Sequence, residues 1–321
     1  MVSQRALGLL IGVAVDAVVA DPRRWHPVAG FGSAAMSLER FTYRDSGAAG
    51  ALHVGVLVGG VLALARRRPG LEVPATAAAT WVVLGGTSLL REGAAIAAEL
   101  EAGDVTAARA RLPSLCGRDP SGLKAAGLTR AALESVAENT ADAVVAPLLW
   151  GAVAGVPGLL GYRAVNTLDA MIGHRSPRYE RFGWSAARLD DLLNLAPARV
   201  AGLLTACVAP MVGGSPHEAL RVWRRDAHAH PSPNAGVVEA AMAGALGVRL
   251  GGETVYPYGV ELRPTLGAGP PPGTVDLRRA VRVSRAVQLG SALLSAALAV
   301  AIGQHRHRLG FGLRLGFGER R

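Results

Sequence analysis

The chain has 321 residues, half of them hydrophobic, with only 18% charged and a positive mean hydropathy. Soluble domains carry about 25% charge, and the apolar content here is Ala, Val, Leu and Gly with few aromatics, the composition of closely packed membrane helices. The net charge of +10 is nearly all arginine, Lys124 being the single lysine, and the basic runs adjoin apolar stretches without interleaved aromatics; that excludes a nucleic-acid surface and favours lipid headgroups or anionic substrates.

The pattern predicts an all-α, multi-span integral membrane protein of one domain, with polar helical segments between the spans. N-terminal spans occupy about 6–90, a polar, motif-bearing core 91–285, a C-terminal span 286–303 and a basic tail 304–321. A straight span needs about 20 apolar residues. Ala6–Ala20 is short, holds Asp16, and leads into Asp21-Pro22-Arg23-Arg24 rather than a small-residue cleavage site, so no cleaved signal peptide is expected. Ala48–Ala65 is long enough and closes on Arg66-Arg67-Arg68; Val73–Leu90, with Trp81 inside it, is a further span. Gly103-Asp104 opens a short amphipathic helix that Pro113 ends. Ala143–Gly161 carries Pro147 and Pro157, which predicts a kinked or re-entrant element. Val200–Gly214 is short and holds Pro210. Ser232-Pro233 has the form of a cap and first-turn proline for an apolar helix over Val237–Leu250, and Pro264 to Gly273 reads as a loop. Ala286–Gly303 is the second clear span, followed by His305-Arg306-His307-Arg308. The three short runs also fit buried core helices, and arginine on both sides of several runs leaves orientation open.

Four polar constellations could carry chemistry. In Glu134-Ser-Val-Ala-Glu138-Asn139-Thr140-Ala-Asp142, a continuous helix puts three carboxylates on one face at i,i+4 spacing, where like charges repel. A bound Mg²⁺, arginines from elsewhere or solvent must compensate, and the face runs into an apolar stretch where solvent is scarce. In Tyr162–Arg175, Asn166 and Asp169 are one turn apart, and Arg163 and Arg175 suit phosphate oxygens. In Arg188–Asn194, Asp190 and Asn194 are i,i+4 beside Asp191, a hard-oxygen set that suits Mg²⁺. In His230–Gly236, followed by Glu239, a helix start offers an anion site. Each alone fits helix capping or a surface ion pair equally well. No GxxxxGK[ST], HExxH or strand-borne GxGxxG occurs; Cys116 and Cys207 form no CxxC, and His228, His230, His305 and His307 lack zinc-site partners. No repeat of fixed period is present.

Together these segments resemble the CobD/CbiB family, the membrane adenosylcobinamide-phosphate synthases of cobalamin biosynthesis. The resemblance is carried by Asp21-Pro22, His26-Pro27-Val28, Gly117-Arg118-Asp119, Glu134–Asp142, Pro147-Leu148 and Tyr162–Gly173, notably Asn166-Thr167-Leu168-Asp169. It continues through Phe182-Gly183-Trp184, Asp190-Asp191, Pro197-Ala198-Arg199, Ser232–Gly236 and Gly251-Gly252. Ala20 stands where the family pattern has Gly.

The resemblance implies a cell-membrane enzyme that joins 1-amino-2-propanol, or its O-phosphate, to a propionate of adenosylcobyric acid by ATP-dependent amide formation. It implies Mg²⁺ and ATP, the latter as co-substrate, and leaves open a homo-oligomer or contact with other enzymes of the pathway. Residues placed in catalysis on this basis are Glu138 (as base), Asn139, Asp142, Asn166 and Asp169. Those placed at substrate or phosphate are His26, Arg118, Lys124, Arg163, Arg175, Ser232, Asn234 and Glu239; those placed at metal are Asp142, Asp190, Asp191 and Asn194. A transporter or permease subunit is the rival reading, but it expects mid-span polar groups and inverted repeats. A non-catalytic scaffold needs no mixed Asn/Asp/Arg clusters. Without the resemblance, the residues support a membrane protein with an anionic-ligand or metal site.

Overall fold

A computed structural model describes residues 3–21, 26–65, 70–174, 176–256 and 259–315, with side chains placed through His305 except at 255, 256 and 260. Arg175, Pro22 and the flanking Arg66-Arg67-Arg68 lie outside the described residues. The described chain forms thirteen α-helices and one antiparallel hairpin.

Helix α1 (Gln4–Val19) is followed by α2 (Pro27–Thr42), whose first turn is fixed by Pro27 and by His26, the ring Nδ1 accepting the Val28 N–H at 3.2 Å. Helix α3 (Gly47–Leu64) coincides with the span expected from hydropathy. Helix α4 (Glu72–Val83) crosses α1 at very close range: a Cβ on Gly12 would come within 2.4 Å of the Thr80 side chain, and one on Gly8 within 2.6 Å of Thr76. Small residues allow that approach. The expected span Val73–Leu90 is not one straight helix. Leu84 turns extended, and α5 (Gly86–Glu101) restarts after Gly85.

Asp104 caps the short α6 (Val105–Arg111), its Oδ1 accepting the Ala107 N–H at 2.9 Å, and Pro113 lies in the turn that ends it, as its sequence predicts. Helix α7 (Ala125–Thr140) passes into a π-helical turn, Ala141–Val145, and then into α8 (Ala146–Ala154). Gly155, at φ +69°, breaks the chain before α9 (Val156–Ile172). The apolar run with two prolines is therefore broken, because each proline sits in the first turn of its own helix. Helix α10 (Trp184–Val208) continues through a 3₁₀ turn to Val212. The short run expected from Val200 is thus the second half of a longer element that also carries Asp190, Asp191 and Asn194.

Helices α11 (Pro216–Asp226) and α12 (Ala235–Leu246) precede strands β1 (Leu250–Tyr256) and β2 (Gly259–Leu266). Two expectations are corrected here. The apolar helix spans 235–246 rather than 237–250, since Gly247 adopts the left-handed conformation that stops it. Pro264 belongs to β2 rather than to the following loop. The strands pair Glu253 with Leu262, and an irregularity between Leu250 and Gly252 uses the positive φ of Gly251 and Gly252. Helix α13 (Thr274–Leu315) contains the expected Ala286–Gly303 span.

Among the described residues four helical stretches are long and apolar enough to cross a membrane: Gly47–Leu64, Glu72–Glu101, Trp184–Val212 and Thr274–His305. Only 17% of the Gly47–Leu64 window is buried, so an apolar helix exposes Leu52, Val56, Leu62 and Leu64. That exposure suits lipid and not water.

Among the described residues there are three large apolar cores and a small fourth one of Ala206, Ala209, Ala219 and Ala245. The largest joins α5, α6, α7, α12, the hairpin ends and the first half of α13; the second joins α1, α4, α8 and the second half of α13; the third joins α2, α3 and the α9–α10 corner around Phe182. The π turn touches two of them, with Ala141 and Val145 in the first and Ala143 and Val144 in the second. Leu168, Ile172 and Leu189 of the third flank the polar residues of α9 and α10.

Candidate active site

Polar side chains from the π turn, α9 and α10 converge. Asn194, 1% exposed, accepts the Tyr162 hydroxyl at 2.9 Å and donates its amide to Asp190 Oδ2 at 2.9 Å. Asn166 donates to the other oxygen, Asp190 Oδ1, at 3.3 Å, and accepts from Arg163 Nη1 at 3.5 Å. Both oxygens of Asp190 are thus held by amides on two helices. Asp142, half-buried on the π turn, faces Asp190, Glu138, Asp169 and Arg163 within electrostatic range. Asp191 pairs with Arg188 at 3.5 Å, and its backbone carbonyl accepts from Asn234 Nδ2 at 2.7 Å. Asn234 in turn accepts from Arg199 Nη1 at 2.7 Å, which pins the start of α12 to α10 beside the acidic pair.

A second polar cluster lies on the other side of Glu138. Glu134, 1% exposed, pairs with Arg118 and with Arg130 at 4.0 Å, and its Oε1 accepts the Gly251 N–H at 2.7 Å. Arg130 Nη1 donates to the Gly251 carbonyl at 2.6 Å. Glu239, also 1% exposed, faces Glu134, Glu138, Arg118 and Arg263. Its carboxyl lies 4.0 Å from His230 Nε2, yet this contact is not an ion pair. Burial raises the Glu239 carboxyl well above the usual range, and burial with the nearby Arg263 charge lowers the His230 imidazole to about 4, so the imidazole is neutral at pH 7. Arg263 Nη1 lies 2.9 Å from His230 Nε2, and His230 Nδ1 lies 3.2 Å from the Ser232 carbonyl and 3.1 Å from the Ser232 N–H, so both ring nitrogens are engaged.

The residues singled out in the sequence therefore separate. Glu138, Asp142, Asn166, Asp169, Asp190, Asp191, Asn194 and Arg163 form the first cluster; Arg118 and Glu239 belong to the second, and Asn234 bridges from α12. Asn139 donates to the Ser135 carbonyl and hydroxyl, both at 3.0 Å, and Ser232 Oγ accepts from Ala235 N at 3.1 Å, so each is used locally. His26 lies 3.4 Å from Asp21, and Lys124 is exposed at the start of α7. The three acidic residues do not share one continuous α-helical face. The π turn intervenes before Asp142, and Glu134 turns toward the hairpin, where Arg118 and Arg130 compensate its charge; it is not solvated.

Carboxylates and amide oxygens are hard donors of the kind Mg²⁺ takes. Among the described residues, however, no three His, Cys, Asp or Glu side chains close around a common point. The donor set fits a cation held by one or two carboxylates together with substrate phosphates, and not a protein-only cage.

The family profile described as CobD/Cbib protein matches residues 9–284. The chain belongs to the CobD/CbiB family. It is 63% identical over 299 residues to the "Cobalamin biosynthesis protein CobD" of Mycobacterium tuberculosis, covering 92% of this chain and 96% of that one. It is 47% identical over 247 residues to the protein of the same description from Rhodobacter capsulatus, covering 77% and 72%, and 42% identical over 312 residues to that from Chromobacterium violaceum, covering 93% and 98%. No solved structure matches. Within this CobD/CbiB chain, Tyr162, Arg130, Arg199 and Arg263 are contributors that sequence reasoning passed over. Only Tyr162 and Arg199 lay inside segments already marked by resemblance; Arg130 and Arg263 act through a hairpin that no sequence period announces.

Proposed function

We propose that the protein is an ATP-dependent acid–amine ligase of the cell membrane, joining 1-amino-2-propanol or its O-phosphate to a propionate of adenosylcobyric acid. Family membership and the relatives' role in cobalamin biosynthesis support this reading. The observation that carries it is the convergence of Asp142, Asp169 and Asp190 with Asn166, Asn194 and Arg163 at the meeting point of three helices.

A carboxylate is a poor acyl donor. In the proposed reaction a propionate oxygen attacks the γ-phosphorus of ATP and ADP leaves, giving an acyl phosphate. The amine then attacks the acyl carbon, inorganic phosphate leaves, and the ammonium proton passes to a base. Asp142 and Asp190 would hold a Mg²⁺ together with the phosphates, and the ion would supply charge neutralisation. Asn166 and Asn194 keep both Asp190 oxygens oriented, and Arg163 lies on the same side to bind phosphate oxygens. Glu138, half-buried between the two clusters, takes the amine's proton in this reading. The segments 91–142 and 162–199 face the cytoplasm, where ATP is found.

The test is incubation of detergent-purified protein with adenosylcobyric acid, Mg-ATP and each amine, followed by mass analysis of the corrinoid. An amide adduct that needs all three components is the expected result. Unchanged corrinoid with both amines overturns the proposal.

A further inference from the structure

A π turn widens the helix by one residue and leaves a backbone that needs outside support; such turns are frequent at functional sites. Here the support comes from helices that contribute nothing else to the carboxylate cluster. Thr140, the residue before the turn, donates its hydroxyl to the Val136 carbonyl at 2.6 Å, and its oxygen lies 2.6 Å from Ser284 Oγ on α13. Thr140 is 2% exposed and Ser284 is fully buried. Gln288 Nε2 donates to Ser284 Oγ at 3.2 Å, so the Ser284 proton is available to Thr140 and the bonds run one way from α13 into α7.

The second support is on the far side of Asp142. The Gly85 N–H, in the break between α4 and α5, donates to the Ala143 carbonyl inside the turn at 3.2 Å. Asp16 on α1 holds that break, its Oδ2 accepting the Thr87 N–H at 3.1 Å and the Thr87 hydroxyl at 2.9 Å. Gln288 also reaches the Gly86 carbonyl at 3.4 Å, and a Cβ on Gly86 would lie 2.6 Å from its side chain. The two supports, at 140 and 143, bracket Asp142.

We infer that Thr140, Ser284 and Gln288, with Asp16 behind the break, are positioning residues that aim Asp142 into the carboxylate cluster. The inference rests on the role proposed for Asp142. It explains why a polar side chain interrupts the first apolar run and why Ser284 and Gln288 are placed inside an apolar bundle. Misplacement of a reacting or binding group by about 1 Å can cost a hundredfold in rate.

The test is a double-mutant cycle on the full-length protein in detergent, using Thr140→Val, Thr140→Ser and Asp142→Asn. Turnover is followed by corrinoid mass, and Mn²⁺ binding with a non-hydrolysable ATP analogue is followed by electron paramagnetic resonance. Thr140→Val keeps the side-chain shape and removes the hydroxyl; it should lower turnover and Mn²⁺ affinity about tenfold, Thr140→Ser should restore both, and adding Thr140→Val to Asp142→Asn should cost nothing more. Ser284→Ala cuts the same support from α13 and serves if Thr140→Val does not accumulate as folded protein. A neutral Thr140→Val and Ser284→Ala beside a crippled Asp142→Asn overturns the inference and leaves the site reading standing. Losses that multiply with Asp142→Asn also overturn it. A neutral Asp142→Asn overturns the site reading, and the inference with it.

Discussion

The Glu134 carboxylate accepts the Gly251 N–H at 2.7 Å, across 117 residues of chain, and so ties α7 to the first strand of the hairpin. Glu138, one helical turn later, faces the carboxylate cluster instead. Two glutamates that look equivalent in sequence therefore differ in what surrounds them.

Glu134→Ala should be destabilising by about 3–5 kcal/mol, the scale of a buried charge pair broken on one side, because the buried Arg118 loses its ion pair with Glu134. Thermal unfolding in detergent measures this. Activity per folded molecule should fall far less than stability. A melting temperature unchanged within a degree would show that the Arg118 pair and the hairpin tie contribute nothing.

His230 should make the protein sensitive to acid. Its folded-state value of about 4 lies below the ordinary value near 6.5. Between these limits the unfolded chain binds a proton that the native protein refuses, so this group's contribution to stability is present above about pH 6.5 and lost as pH falls toward 4. Glu239 acts in the opposite sense, losing stability as pH rises above its unfolded value. The comparison is therefore wild type against His230→Gln, with Glu239 present in both. The stability gap between them should narrow from pH 6.5 to 4.5. A constant gap would show that His230 is not held neutral.

Metal removal should abolish turnover. EDTA should silence the enzyme and Mg²⁺ should restore it, whereas Zn²⁺ should not, because the site offers hard oxygens and, among the described residues, no His or Cys set. Full turnover in EDTA would remove metal from the mechanism.

Hydropathy located α3 to within a residue, because an apolar helix in lipid needs only length and composition. Asp104 as a cap and the broken element around Pro147 and Pro157 were equally legible, since both effects are local. The hairpin was not. Leu250–Tyr256 holds two adjacent glycines and shows no clean alternation, and its pairing uses positive φ at both. The π turn was also hidden: Ala-Asp-Ala-Val-Val reads as ordinary helix, and the bonds that flank the turn come from α13 and the α4–α5 break. The carboxylates could be marked from sequence, but which of them meet depended on long-range partners such as Asn194 for Asp190 and Arg118 for Glu134.

Membrane residence is expected from the exposed apolar face of α3, one of four helical stretches long and apolar enough to cross a membrane. The protein should sediment with membranes and leave them only in detergent, and cysteines placed in 91–142 or 162–199 should resist labelling by an impermeant reagent applied from outside. Monodisperse protein in a detergent-free soluble fraction would contradict the architecture, and outside labelling would contradict the proposed orientation.

Amide formation by Asp142→Asn and Glu138→Gln, measured as corrinoid adduct per folded molecule, bears most directly on the proposed site. Both substitutions keep size and hydrogen-bonding capacity, so folded protein should persist. Turnover should fall by roughly a hundredfold or more, the scale of a lost acid–base or charge-stabilising group. Near wild-type rates in both variants would contradict the account.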